Sequence, residues 1–328
     1  MVKSNLVRSA VVAAIATLGA AQANAQLALT ADGIALGFTL SQFASTNPGY
    51  NSCCNGPFGV AVDVASGHVI VDVNSTGLRY AFNDVDGQTL ASALSSAPSS
   101  TGTGAYATAG GKAYGAFFQI AGDGSVDHVL TGVTASQYLG MWGNPVNGHI
   151  IATSFSGLID VDPLAAGGTG SFRVINAGVF GDGVSVSPDG KTAYVASGTV
   201  NAYDIATGNF LASYAAGFGF GLDGTGVITS TNVLNGQIIG NMNSGDVVLI
   251  DPVSGTSKLI ATGGTRGDYT SPDVTNGTLF LDAADGVYRL SCGVGCGFVN
   301  PPVPEPSSYA LMLSGLALVG GLLRRRRK

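Results

Sequence analysis

The sequence predicts an all-β fold, a β-propeller of six four-stranded blades. Three observations carry that prediction. Fifty glycines and only 10% charged residues in a chain of 328 describe many short strands joined by tight turns. A small polar or glycine residue followed by glycine opens an apolar strand six times, with the second glycine at 67, 111, 148, 190, 236 and 277. The intervals of 44, 37, 42, 46 and 41 residues match the period of a propeller blade.

Taken in order, residues 1–25 read as a secretory signal peptide. Lys3 and Arg8 form a basic start, Ala10 to Ala21 an apolar helical run, and Ala23-Asn24-Ala25 a small-residue cleavage site. The body, 26–292, is the propeller domain. From Gln26 to Pro302 the chain holds 7 Lys+Arg and 19 Asp, a net charge of about −12 against −6 for the whole chain. So few, scattered cations exclude a nucleic-acid surface. Acidity suits solubility outside the cell, or cation binding.

A spare strand, Ile34 to Leu40, precedes the first repeat, and the sixth repeat ends at Leu290 after three strands. Pairing the spare strand into the sixth unit closes the ring and removes an exposed edge. Within each repeat, Asn-Gly and Asp-Gly suit two-residue hairpins. Asp204 to Gly208 and Asp251 to Gly255 mark further turns before last strands. The Ser/Thr/Gly/Pro-rich stretch from Ser92 to Tyr106 reads as the longest loop, and Trp142, the single tryptophan, as a core anchor, with a stacking platform for sugar the alternative.

Four cysteines in an exported chain favour disulfides over metal. Cys53 and Cys54 follow the spare strand, and Cys292 and Cys296 follow the last one. A closed ring brings the two pairs together, so a link across the seam is expected; a local Cys292–Cys296 bond is the alternative.

No nucleophile elbow, phosphate loop or zinc-protease helix occurs, and the body has no glutamate. His68 and His149 hold equivalent repeat positions, and His128 lies beside Asp127 on an alternating strand. The catalytic set is therefore empty. The candidate metal set is Asp182, Asp223 and Asp268, each beside glycine just ahead of a blade's first strand. Because first strands line a propeller's channel, these carboxylates are expected to converge at its mouth, with Ca²⁺ the ion that hard oxygen ligands suit. Asp84-Val85-Asp86-Gly87 has a partial calcium-loop pattern without the spacing or final glutamate.

Residues 293–302 form a linker, and 303–328 a tail of different character. Val303-Pro304-Glu305-Pro306 is extended by its prolines, Tyr309 to Leu323 is a short apolar helix of membrane type, and Arg324, Arg325, Arg326, Arg327 and Lys328 end the chain as a basic stop on the cytoplasmic side.

This combination resembles a PEP-CTERM sorting signal. The resemblance covers about 25 residues at the C-terminus and implies a membrane-tethered precursor whose tail an exosortase recognises and removes. Delivery to the cell surface or the exopolysaccharide matrix follows from it. Val184 to Tyr214, with its Ser-Pro-Asp-Gly turn, also resembles blades of bacterial propellers of the lactonase and surface-layer kinds. The expected function is a non-catalytic binding or structural component whose partners are polysaccharide or envelope components. The alternative is a calcium-dependent propeller hydrolase or lactonase using the mouth aspartates.

Overall fold

The computed structural model describes residues 26–53, 55–99, 104–135, 138–214 and 221–299. Six antiparallel sheets follow one another along the chain, one per repeat. Their inner strands are Pro57–Asp63, Ala107–Ala109, Tyr138–Gly143, Val184–Val186, Leu222–Val227 and Gly267–Pro272. Adjacent inner strands contact one another around the ring, the sixth against the first included. We call the face where inner strands begin the upper face and the one where they end the lower face. The expected signal and tail helices lie outside the described residues.

All six repeat glycines adopt the left-handed conformation, with φ of 72° to 78°. The turns they end are wider than the expected two-residue hairpin. Gly67 N–H donates to the Asp63 carbonyl, Gly148 to Asn144 and Gly277 to Asp273, each spanning five residues. The acidic or amide side chain opening the turn accepts from its backbone, as Asp63 does from Ser66 at 3.0 Å and Asp273 from Thr275 at 3.0 Å. An Asx-capped turn closed by a left-handed glycine therefore replaces the hairpin. Trp142 is buried in the largest core cluster. The stretch taken for a long loop contributes the outer strand of blade 1, Ser95–Pro98.

Ring closure uses the N-terminal segment, with shifted boundaries. Ala31–Ala35 is a short helix capped by Thr30, and the closing strand is Thr39–Ser45, paired antiparallel to Gly286–Ser291. The helix wins because Thr30 accepts from Gly33 N–H at 3.1 Å and Asp32 sits in the first turn. Ala28–Leu29 adds a fifth strand to blade 5, so the segment staples two blades. Gln88–Thr89, from the loop of blade 1, pairs in parallel with the closing strand.

The seam is held by charge rather than by sulfur. Arg289 on the closing blade binds Asp273 at 2.6 Å, Asp86 of blade 1 at 2.8 Å, and Asp84. Its guanidinium lies 5.1 Å from the Phe43 ring and 4.7 Å from Phe280. Asp84 and Asp86, which carried the partial calcium pattern, are thus ligands of an arginine. The cross-seam disulfide does not form: Cys292 bonds to Cys296, with Cα atoms 5.5 Å apart. Cys53 is also disulfide-bonded, and Cys54 lies outside the described residues. The local bond secures Cys296–Gly297, which pairs with Thr229–Ser230 on the lower face. The stretch expected to be linker from residue 293 therefore begins inside the folded body.

Candidate binding site at the upper mouth

Close approach of the inner strands builds this site. Gly140 packs 2.5 Å, measured from an ideal Cβ, from the Asp182 carbonyl oxygen, and Gly224 likewise 2.5 Å from that of Asp268. A methyl group on Gly183 would overlap the Asp223 carbonyl outright. Each of the three aspartates thus has its backbone seated on a glycine of the preceding blade. A side chain there would wedge the blades apart, and the carboxylates would no longer share one mouth.

Asp223 and Asp268 come together on an arginine, with Asp182 near enough to interact with them through charge. Arg266 donates to Asp268 at 2.6 Å and to Asp223 at 2.9 Å, and its backbone N–H donates to Asn51 at 2.8 Å. Asn243 donates to the other oxygen of Asp223 at 3.1 Å. Asp223 and Asp268 are buried, while Asp182 is partly exposed. Burial pushes the Asp223 carboxyl up to about 7, reinforced by the charges of Asp268 and Asp182. Burial likewise lifts Asp268 to about 6, against the pull of Arg266. Asp182 is raised by burial and lowered by Arg266, and its carboxylate accepts no hydrogen bond among the described residues.

Beneath the mouth the channel is filled. Phe58 and Tyr269 lie with ring centroids 6.1 Å apart, in one buried cluster with Ala105, Tyr138 and Met141. The amide of Asn241 reaches the carbonyls of Asp268 and Asp282 at 2.9 and 2.8 Å, tying the sixth inner strand in place.

The expected calcium cage is not what this geometry presents. The guanidinium already engages one oxygen each of Asp223 and Asp268, and an ion would have to displace it. Among the described residues no group of three His, Cys, Asp or Glu side chains is arranged to hold a metal. The histidines stand elsewhere: His68 contacts the Gly122 carbonyl at 2.7 Å, His149 contacts Asp160 at 2.8 Å, and His128 pairs with Asp127 at 3.2 Å. Arg266 and Asn243 were missed from sequence. Arg266 directly precedes Gly267-Asp268, so adjacency was the available signal, although nothing in the spacing paired it with Asp223 across 43 residues.

Fold and mouth define the class: a closed six-bladed β-propeller with a neutralised acidic mouth. Residues 302–328 match the PEP-CTERM protein-sorting motif, and the chain is a propeller that carries this signal. The motif marks an exported protein sorted by an exosortase, and the sorting residues themselves lie outside the described residues. No curated protein matches the chain. Among solved structures, a gluconolactonase from Xanthomonas campestris aligns at 14% identity and TM-score 0.56, covering 81% of this chain and 95% of its own. An auxiliary nutrient-binding protein from Bacteroides thetaiotaomicron aligns at 10% identity and TM-score 0.51, covering 77% and 76%. At these identities the likeness is one of fold.

Proposed function

We propose that the protein is a non-catalytic binding and structural component of the cell surface or exopolysaccharide matrix, released there once its tail is removed. The observation that carries this reading is the state of the channel. Asp223 and Asp268 are both paired with Arg266, and the space below them is occupied by Phe58, Tyr269 and Met141. A hydrolase of this architecture needs an open pocket where a nucleophile or metal-bound water meets substrate.

The competing reading, a calcium-dependent hydrolase or lactonase, draws support from the convergence of Asp182, Asp223 and Asp268. One assay separates the two. The purified protein is offered lactone, phosphoester and glycoside substrates with and without Ca²⁺, and a parallel sample is tested for retention on matrix polysaccharide. Retention without turnover is the expected result. Ca²⁺-dependent turnover that disappears in an Asp223→Ala/Asp268→Ala variant overturns the proposal.

A further inference from the structure

The upper face carries a second feature, beside the mouth. Phe155, in the turn between the second and third strands of blade 3, and Phe180, in the connection leading to blade 4, are 61% and 56% exposed. Their rings stack on each other at 5.8 Å with an interplanar angle of 20°. Two phenylalanines in solvent form a continuous apolar plate, which a folded chain ordinarily buries.

The plate is tied to Asp182. Thr153, two residues before Phe155, accepts from Gly140 N–H at 2.8 Å and donates to the Asp182 carbonyl at 3.4 Å. Phe180 lies two residues ahead of Asp182, whose N–H is fixed to the Ala196 carbonyl at 3.0 Å. The plate therefore shares the upper face with Asp182, two residues from Phe180 and partly exposed, whose carboxylate accepts no hydrogen bond among the described residues.

Charge distribution selects the ligand. Lys112, Lys191 and Lys258 sit at or near the starts of second or fourth strands, which begin on the lower face. On the upper side Arg266 is held by two carboxylates, and Arg79 is buried with its Nε on the Gly124 carbonyl. Among the described residues the upper face thus has no unengaged cation to receive an anion, which disfavours acidic polymers. A partly exposed carboxylate on the same face as two exposed aromatic rings is complementary to a glycan that offers C–H faces for stacking and an ammonium group for the carboxylate.

We propose that Phe155, Phe180 and Asp182 form a binding site for amino-sugar polysaccharide, that is, a glycan bearing free ammonium groups. The site rests on the non-catalytic reading above and names its ligand class. The full chain in detergent micelles is titrated calorimetrically with a glucosamine hexamer, its N-acetylated counterpart and an acidic uronate hexamer. The glucosamine hexamer is expected to bind, and the other two to bind at least about tenfold more weakly. Phe155→Ser/Phe180→Ser and, separately, Asp182→Asn are each expected to weaken that binding about tenfold, the phenylalanine pair with thermal unfolding unchanged because both rings are exposed. Equal affinity for the N-acetylated hexamer, no binding of the glucosamine hexamer, or binding unaffected by both variants overturns the site. If matrix retention without turnover persists in the variants, the site falls while the non-catalytic reading stands.

Discussion

At the mouth one guanidinium serves two buried carboxylates, Asp223 and Asp268, and its removal leaves both without a counter-charge. Arg266→Met is expected to lower stability by about 3–5 kcal/mol at neutral pH, measured by denaturant unfolding. Adding Asp223→Asn and Asp268→Asn should recover much of the loss, since no uncompensated charge then remains. The same pair sets a pH dependence. Both carboxyls sit above their unfolded value in the native state, so the folded chain binds protons more tightly than the unfolded one. Their contribution is fully present below about pH 4 and is lost as pH rises through about 6 and about 7. In the Asp223→Asn/Asp268→Asn variant this decline should vanish from the stability profile; an unaltered slope between pH 4 and 7 would show that the carboxyls are not shifted.

Among the elements, the closing strand has the largest consequence. Thr39–Ser45 completes blade 6, and the Arg289 cluster locks that blade to blade 1. Arg289→Met exposes three carboxylates to one another inside the seam. It should destabilise the protein by about 3–5 kcal/mol, more than any outer-strand substitution. The Cys292–Cys296 bond closes a loop of only a few residues. Its removal by Cys292→Ser/Cys296→Ser should cost about 2 kcal/mol, against about 4–5 kcal/mol for a bond spanning the ring. Denaturant midpoints with and without reductant measure this difference. Glycines at the inner-strand contacts belong to the same scale. Gly183→Ala should destabilise by about 1–3 kcal/mol through overpacking on the Asp223 backbone.

For the molecule as a whole, the two ends of the channel are assigned differently. The last described strand, Cys296–Gly297, leaves from the lower face, while the mouth and the aromatic plate lie on the upper one. Glu305→Gln is expected to stop tail removal, seen as a membrane-held precursor on immunoblots, whereas mouth variants should be processed at the normal rate. Slowed processing in Asp182→Asn would argue that the exosortase reads the body as well as the tail.

The sequence alone determined the blade number, the closure by an N-terminal strand and the exported character. Each of these follows from local rules: turn chemistry repeated at a fixed period, the need to satisfy an open edge, and polar or apolar runs long enough to read directly. Tertiary structure decided what no local rule contains. Asp84 and Asp86 turned out to bind Arg289 from about 200 residues away, so a weak calcium pattern became a seam clamp. Asp223 and Asp268 received Arg266 as their shared cation, because only folding sets Asp223 beside it. Cys292 bonds its near neighbour because the antiparallel closing strand carries Cys53 to the upper face, beside the Asn51–Arg266 contact, while Cys292 emerges on the lower face. Partners of this kind are selected by which side chains the ring brings within a few ångströms, and spacing along the chain carries no record of that distance.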